Sequence, residues 1–84
     1  MAETKGLVQK LKINSGGATW LYVGPSPTNT AIFFISRGAG DTAVQASVKD
    51  DMVAAASAAM VARREIVAVH DVASSEVTTL RIDP

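Results

Sequence analysis

Apolar and polar residues alternate at the start of the chain. Three aliphatic residues are interleaved with two lysines in a period of two, which predicts a half-buried strand with the lysines facing water. These residues are Leu7, Leu11 and Ile13, with Lys10 and Lys12. Four later runs, rich in β-branched, aromatic or aliphatic residues, predict further strands. The five predicted strands span residues 7–13, 19–23, 31–36, 65–70 and 76–82.

Turn-forming residues separate the predicted strands. Residues 14–17 contain two adjacent glycines and favour a compact turn. Residues 24–30 contain two prolines and predict a loop, because proline cannot donate a hydrogen bond to a β-ladder. Residues 38–41 predict a second flexible loop, and residues 71–75 a turn.

A single helix is predicted after the third strand. Residues 52–62 contain six alanines, two methionines and two valines, a composition with strong helix propensity. Asp50 fits the N-cap because carboxylates are favoured at the amino end of a helix dipole, and Arg63 and Arg64 fit the carboxyl end. Residues 42–48 are ambiguous, since their alternation also suits a short strand extension.

The predicted order of elements is β-β-β-α-β-β. One helix between the third and fourth strands of a five-stranded antiparallel unit is the arrangement of the OB-fold. We therefore expect one mainly β domain with one helix (α+β) over residues 1–84, folded as a five-stranded antiparallel OB-like barrel, with residues 1–5 flexible. An open sheet with one packed helix would show the same order.

The second half of the chain resembles a known group of proteins. The alanine-rich helix is followed by a basic break, an aliphatic strand over residues 66–69, a short turn and a strand over residues 77–80. With the first strand and the Gly16-Gly17 turn, this order and composition resembles the small ring-forming OB-fold subunits found as receptor-binding B subunits of bacterial AB5 toxins. The resemblance implies the fold and ring assembly, and it assigns no functional residue.

Composition narrows the classes of function. The chain has no cysteine and one histidine, which exclude disulfides and a histidine-rich metal site, and we expect no cofactor. His70 and Asp71 do not form a catalytic pair because neighbours on a strand point to opposite faces. The glycine turns lack the P-loop lysine and the GxGxxG spacing. We therefore expect a protein that is not an enzyme.

Charge and hydropathy say little about location. Basic and acidic residues number eight each, which favours neither nucleic acid nor an acidic membrane. No run of about 20 apolar residues predicts a membrane span. The start of the sequence shows no charged-then-apolar leader, so a soluble cytoplasmic protein is the default expectation. A chain whose leader had been removed would instead be secreted.

The first candidate surface is a ligand face on strands one and two. Alternation places Trp20 and Tyr22 on one side of the second strand, and Lys10 and Lys12 on one side of the first. An aromatic platform of this kind would bind nucleic acid or glycan. The alternatives are that the aromatic residues form the core, and that the lysines lie on a solvated face or prevent aggregation at a strand edge.

The second candidate surface is an oligomer interface on the helix. Residues 52–62 are apolar on every side except at Ser57, and a helix without a polar stripe is normally buried. We therefore predict a homo-oligomer, with a ring as one arrangement. The candidate interface residues are Met52, Ala56, Ala59, Met60 and Phe33. The leading hypothesis is a non-enzymatic oligomeric binding or assembly module, and the alternative is a single-stranded nucleic-acid-binding OB-fold protein.

Overall fold

The computed structural model describes residues 1–83, which form five strands and one helix. In chain order these are β1 (Ala2–Ile13), β2 (Ala18–Ser26), β3 (Asn29–Ser36), α1 (Ala43–Ala62), β4 (Glu65–His70) and β5 (Val77–Arg81). The strands form one sheet in the order β3-β2-β1-β4-β5, and all ladder neighbours are antiparallel. The predicted fold class, mainly β with one helix in the order β-β-β-α-β-β, is confirmed.

The two edge strands of the curved sheet approach each other at one point. Phe34 of β3 and Glu76, just before β5, form an isolated parallel bridge. The Phe34 N–H donates to the carbonyl oxygen of Ser75 over 3.0 Å. Over the part of the chain that the structure describes, no ladder of hydrogen bonds continues from this bridge. The OB-like barrel is therefore open along a seam between β3 and β5.

The core lies between the inward face of the sheet and one side of α1. Side chains at alternate positions of the strands point inward, as the period of two requires. The largest fully buried ones are Leu21, Val23, Ile35 and Ile66. Met52, Ala56 and Ala59 cover them from the helix. Ala56 has no exposed surface, so its small side chain allows α1 to lie close to the sheet.

The helix begins earlier than predicted. Thr42 is its N-cap: the Thr42 hydroxyl accepts from the Gln45 N–H at 3.1 Å, and the Gln45 side chain accepts from the Thr42 N–H at 2.9 Å. This reciprocal capping box satisfies two backbone donors and fixes the first turn. The assignment of Asp50 as N-cap is therefore wrong, since Asp50 lies within the helix, and the ambiguous residues 42–48 are the cap and first turns of α1.

The helix ends at the two arginines that follow it, as predicted. Arg63 adopts the left-handed conformation, with φ of 58° and ψ of 42°. Its N–H donates to the Met60 carbonyl oxygen at 3.3 Å, and the Arg64 N–H donates to the Ala59 carbonyl oxygen at 2.9 Å. These bonds satisfy carbonyl groups that the last helical turn leaves free, so the chain turns directly into β4.

The loop predicted over residues 24–30 is wrong. β2 continues to Ser26, β3 begins at Asn29, and only two residues form the turn between them. A bulge between Val23 and Ser26 accommodates Pro25, because a bulged residue needs no ladder hydrogen bond. At Gly24 the backbone approaches Asn29 so closely that a Cβ would overlap the Asn29 carbonyl oxygen.

The first strand also starts earlier than predicted. We expected residues 1–5 to be flexible, but β1 begins at Ala2, and Ala2–Lys5 pair with β4. Two exposed ion pairs lie beside this segment: Arg81 to Glu3 at 3.3 Å and Lys5 to Glu65 at 4.0 Å. Since exposed pairs of this kind contribute about 1 kcal/mol at most, the ladder to β4 is the main constraint on this end of the chain.

Candidate functional site

The outward side chains of β1, β2 and β3 form one continuous surface. Cross-strand pairing aligns them in two rows, each of which crosses all three strands. One row consists of Lys12, Trp20 and Phe34, and the other of Lys10, Tyr22 and Ile32. We call these six residues the aromatic–lysine face. Neighbouring strands are about 4.8 Å apart, so each row is about 10 Å wide.

Contacts within the aromatic–lysine face hold its rings in place. The ring centroids of Trp20 and Phe34 are 5.3 Å apart at an interplanar angle of 47°. The Lys10 Nζ lies 5.0 Å from the centroid of the Tyr22 ring, within the range of a cation–π interaction. Ile32 remains 45% exposed, and the three aromatic side chains are half-buried. The apolar surface of the face is therefore open to solvent, and contacts between its own side chains hold the rings in place.

The charge of this surface is positive. Its six members include two lysines and no carboxylate. Within residues 1–83, neither Lys10 nor Lys12 takes part in an ion pair, whereas Lys5, Lys49 and Arg81 each contact a carboxylate. The ammonium groups of Lys10 and Lys12 are thus not neutralised by the protein and can interact with an anionic ligand.

The structure brings all four predicted ligand-face residues together. Trp20 and Tyr22 share the outward side of β2, and Lys10 and Lys12 lie beside them on β1. Sequence reasoning had left open whether these aromatic residues form the core. In the structure, Leu21 and the other inward residues of the hairpin form the core, and the rings of Trp20 and Tyr22 face outward.

Ile32 and Phe34 were not among the four residues predicted for the ligand face. Alternation along β3 already separates them from Phe33 and Ile35, so a signal was present. Both sides of β3 are apolar, however, and the sequence does not show which side the helix covers. The register with β2, which pairs Trp20 with Phe34, places them on the outward side.

The predicted oligomer interface is wrong in its residues. Phe33, Met52, Ala56 and Ala59 are buried in the core of the single chain, and Met60 is partly buried against them. The helical residues among them pack against the chain's own sheet, to which Phe33 belongs. Other apolar residues of α1 remain exposed to solvent: Val44, Val48 and Val61 are 73%, 49% and 78% exposed.

His70 has a structural role. Its Nδ1 lies 2.9 Å from the Asp71 carbonyl oxygen and 3.0 Å from that of Ser74, so Nδ1 carries the proton and donates. Nε2 lies 3.1 Å from the Thr4 hydroxyl, and the ring packs against Phe33 with centroids 4.7 Å apart. Both ring nitrogens are therefore engaged. No cluster of three or more metal-ligating side chains occurs among the described residues.

An ion pair joins the loop before α1 to the helix. The Asp41 carboxylate accepts from the Gly38 N–H at 2.9 Å and from the Lys49 ammonium at 2.9 and 3.0 Å. The Gly38 hydrogen bond, followed by the bond to Lys49, lowers the pKa of the Asp41 carboxyl below its ordinary value of 3.8. This pair ties the start of the helix to the end of the β3–α1 loop.

Comparisons with protein-family models, characterised proteins and solved structures found no match. No helix among residues 1–83 is long and apolar enough to cross a membrane. The resemblance to ring-forming toxin subunits stays a prediction. A functional hypothesis for this chain therefore rests on the geometry of its own surfaces.

Proposed function

We propose that this protein is a non-enzymatic binding module that holds single-stranded nucleic acid on the aromatic–lysine face. The observation that carries the proposal is the alignment of three aromatic rings with two unneutralised lysines on one open sheet surface. Bases stack on aromatic rings whatever their sequence, and lysines contact the phosphates. The outer surface of these strands is also where OB-folds bind oligonucleotides.

The size of the face sets the expected affinity. A stacked base contributes about 1–3 kcal/mol as judged by alanine substitution. Two stacked bases, on Trp20 and on Tyr22, give at most about −6 kcal/mol, which corresponds to a Kd of about 40 μM. Two lysine–phosphate contacts give a slope of about −1.4 for log K against log salt concentration. Weak, sequence-tolerant and salt-dependent binding is the expected behaviour.

The test is fluorescence anisotropy of a labelled dodecathymidine titrated with the protein at several salt concentrations. Changing both Lys10 and Lys12 to alanine should bring the salt slope close to zero. The matched control changes Arg63 and Arg64 to alanine, since these exposed residues carry the same charge and lie outside the face. If the salt slope becomes shallower by the same amount in both double variants, the overall charge of the protein, and not the face, attracts the oligonucleotide.

Self-association is the second candidate function, and the exposed valines of α1 favour it. Val61 is exposed beside the exposed Ala58 near the end of the helix, and Val44 and Val48 are exposed near its start. A second copy of the chain would remove these apolar side chains from water. Light scattering at micromolar concentration tests this directly. A single monomeric species with a cooperative melt would remove assembly as a function of this surface.

A further inference from the structure

A groove of about 350 Å³ lies between the first half of α1 and the start of β5, at the open seam of the barrel. Its volume is at the lower end of the range for ligand clefts, about 300–1,000 Å³. One wall is helical and the other belongs to the strand. Its lining includes Val44, Val48, Lys49 and Met52 of α1, with Glu76 and Val77 where β5 begins, and we call it the seam groove.

The helical wall of the seam groove is an apolar stripe. Val44, Val48 and Met52 are four residues apart and therefore follow one another along the same side of α1. Val44 is 73% exposed and Val48 is 49% exposed, while Met52 at the inner end is 9% exposed. The stripe thus runs from solvent into the core and can accept an aliphatic side chain.

The opposite wall is an unpaired strand edge. β5 is the last strand of the sheet, and its ladder is made with β4. Beyond the bridge between Phe34 and Glu76, no strand pairs with the outer edge of β5 anywhere in the described part of the chain. Unpaired strand edges present backbone donors and acceptors that an extended peptide can satisfy by adding as a strand.

The charges of the groove favour a cationic ligand. Of the two charged residues in the lining, Lys49 is bound by Asp41 through both carboxylate oxygens. Glu76 is half-buried and makes no ion pair within residues 1–83. A ligand that lies along β5 therefore meets one uncompensated carboxylate.

We propose that the seam groove binds an extended segment of another polypeptide. The segment adds to β5 as a strand, places an aliphatic side chain on Val44 and Val48, and presents a lysine or arginine to Glu76. A second copy of this chain fits less well, because β3, the other free edge of the sheet, has no charged residue to pair with Glu76. The groove is separate from the aromatic–lysine face and does not depend on it.

The probe is an acetylated, amidated nine-residue peptide in which valine alternates with threonine and which carries two lysines. Binding is measured by anisotropy of a fluorescent label and by amide chemical shifts of the protein. Replacing both lysines by glutamate should weaken binding about fivefold, the upper range for an exposed charge pair. Glu76→Gln should reduce the difference in affinity between the lysine peptide and the glutamate peptide. A peptide with proline at its centre should not bind, because it lacks the ladder donor.

Val44→Ser and Val61→Ser are the matched pair of variants. Both valines are exposed on α1, at 73% and 78%, but only Val44 lines the groove. Val44→Ser should weaken binding about fivefold through lost apolar contact, and Val61→Ser should leave it unchanged. Equal effects of the two variants, equal binding of the proline peptide, or no binding at millimolar peptide would each overturn the proposal. Self-association that Val44→Ser abolishes would show that a second copy is the occupant and would overturn it as well.

Discussion

Replacing Ala56 by glutamate is the most demanding test of how α1 packs. Ala56 has no exposed surface, and the core cluster around it contains only apolar side chains. A glutamate held there with its pKa raised from about 4.3 to about 8.5 is protonated at pH 7, and the free energy of unfolding at that pH falls by about 4 kcal/mol. Overpacking adds about 1–3 kcal/mol. Because a domain of this length is stable by about 4–13 kcal/mol, a loss of about 5–7 kcal/mol removes between half and all of its stability.

The matched control is Ala58→Glu, which introduces the same residue on the exposed side of the same helix. Its free energy of unfolding should stay within about 0.5 kcal/mol of the unmodified protein. Urea unfolding followed by circular dichroism measures both variants. Ala56→Glu should unfold at a much lower urea concentration than the unmodified protein, or show no cooperative transition at 25 °C. If the two variants unfold at the same urea concentration, the placement of Ala56 in the core is refuted.

Three further predictions concern the backbone and the ion pair before the helix. Gly24→Ala should lower the free energy of unfolding by about 1–3 kcal/mol because a Cβ overlaps the Asn29 carbonyl oxygen. Gly38→Ala is the control: no atom lies within 4 Å of its Cβ, so the free energy of unfolding should change by less than about 0.5 kcal/mol. Equal melting temperatures of the two variants would contradict this. Arg63→Gly should raise stability by about 1 kcal/mol, since a left-handed backbone is unfavourable for a residue with a Cβ, and a lower melting temperature would count against it. The lowered pKa of Asp41 makes its contribution to stability complete above pH 3.8 and lost as the pH falls through the folded value. Asp41→Asn should therefore melt lower than the unmodified protein at pH 7, with a difference that shrinks below about pH 3.8; a difference independent of pH would refute the role of this carboxylate.

Much of the fold follows from the hydrophobic pattern and the residue composition of the chain. Alternation predicted β1, and the β-branched, aromatic and aliphatic composition of the other four runs predicted β2 to β5. The errors arose where a local interaction outweighed the pattern. The alternation of residues 42–48 suggested a strand, but the Thr42–Gln45 capping box begins a helix there. Pro25 and Pro27 suggested a loop, but a bulge and a two-residue turn accommodate them.

The candidate site was predictable only in part. Alternation is enough to place Trp20 with Tyr22 and Lys10 with Lys12. Alternation does not show which side of β3 faces the core, because both sides of this strand are apolar. The structure places Phe33 in the core and Phe34 on the aromatic–lysine face. The seam groove could not be predicted at all. It depends on where β3 and β5 separate and on how far α1 covers the gap, and both are consequences of the whole packed chain.

Stacking of a base on Trp20 is the central claim, and intrinsic fluorescence measures it without a label. Trp20 is the only tryptophan in the sequence, so every change in tryptophan emission reports on the aromatic–lysine face. Titration with unlabelled dodecathymidine at low salt should quench the emission with a Kd of about 40 μM or weaker, and the quenching should decline as salt is added. Unchanged emission at low salt and millimolar oligonucleotide would contradict the account, because electrostatic attraction is strongest under those conditions.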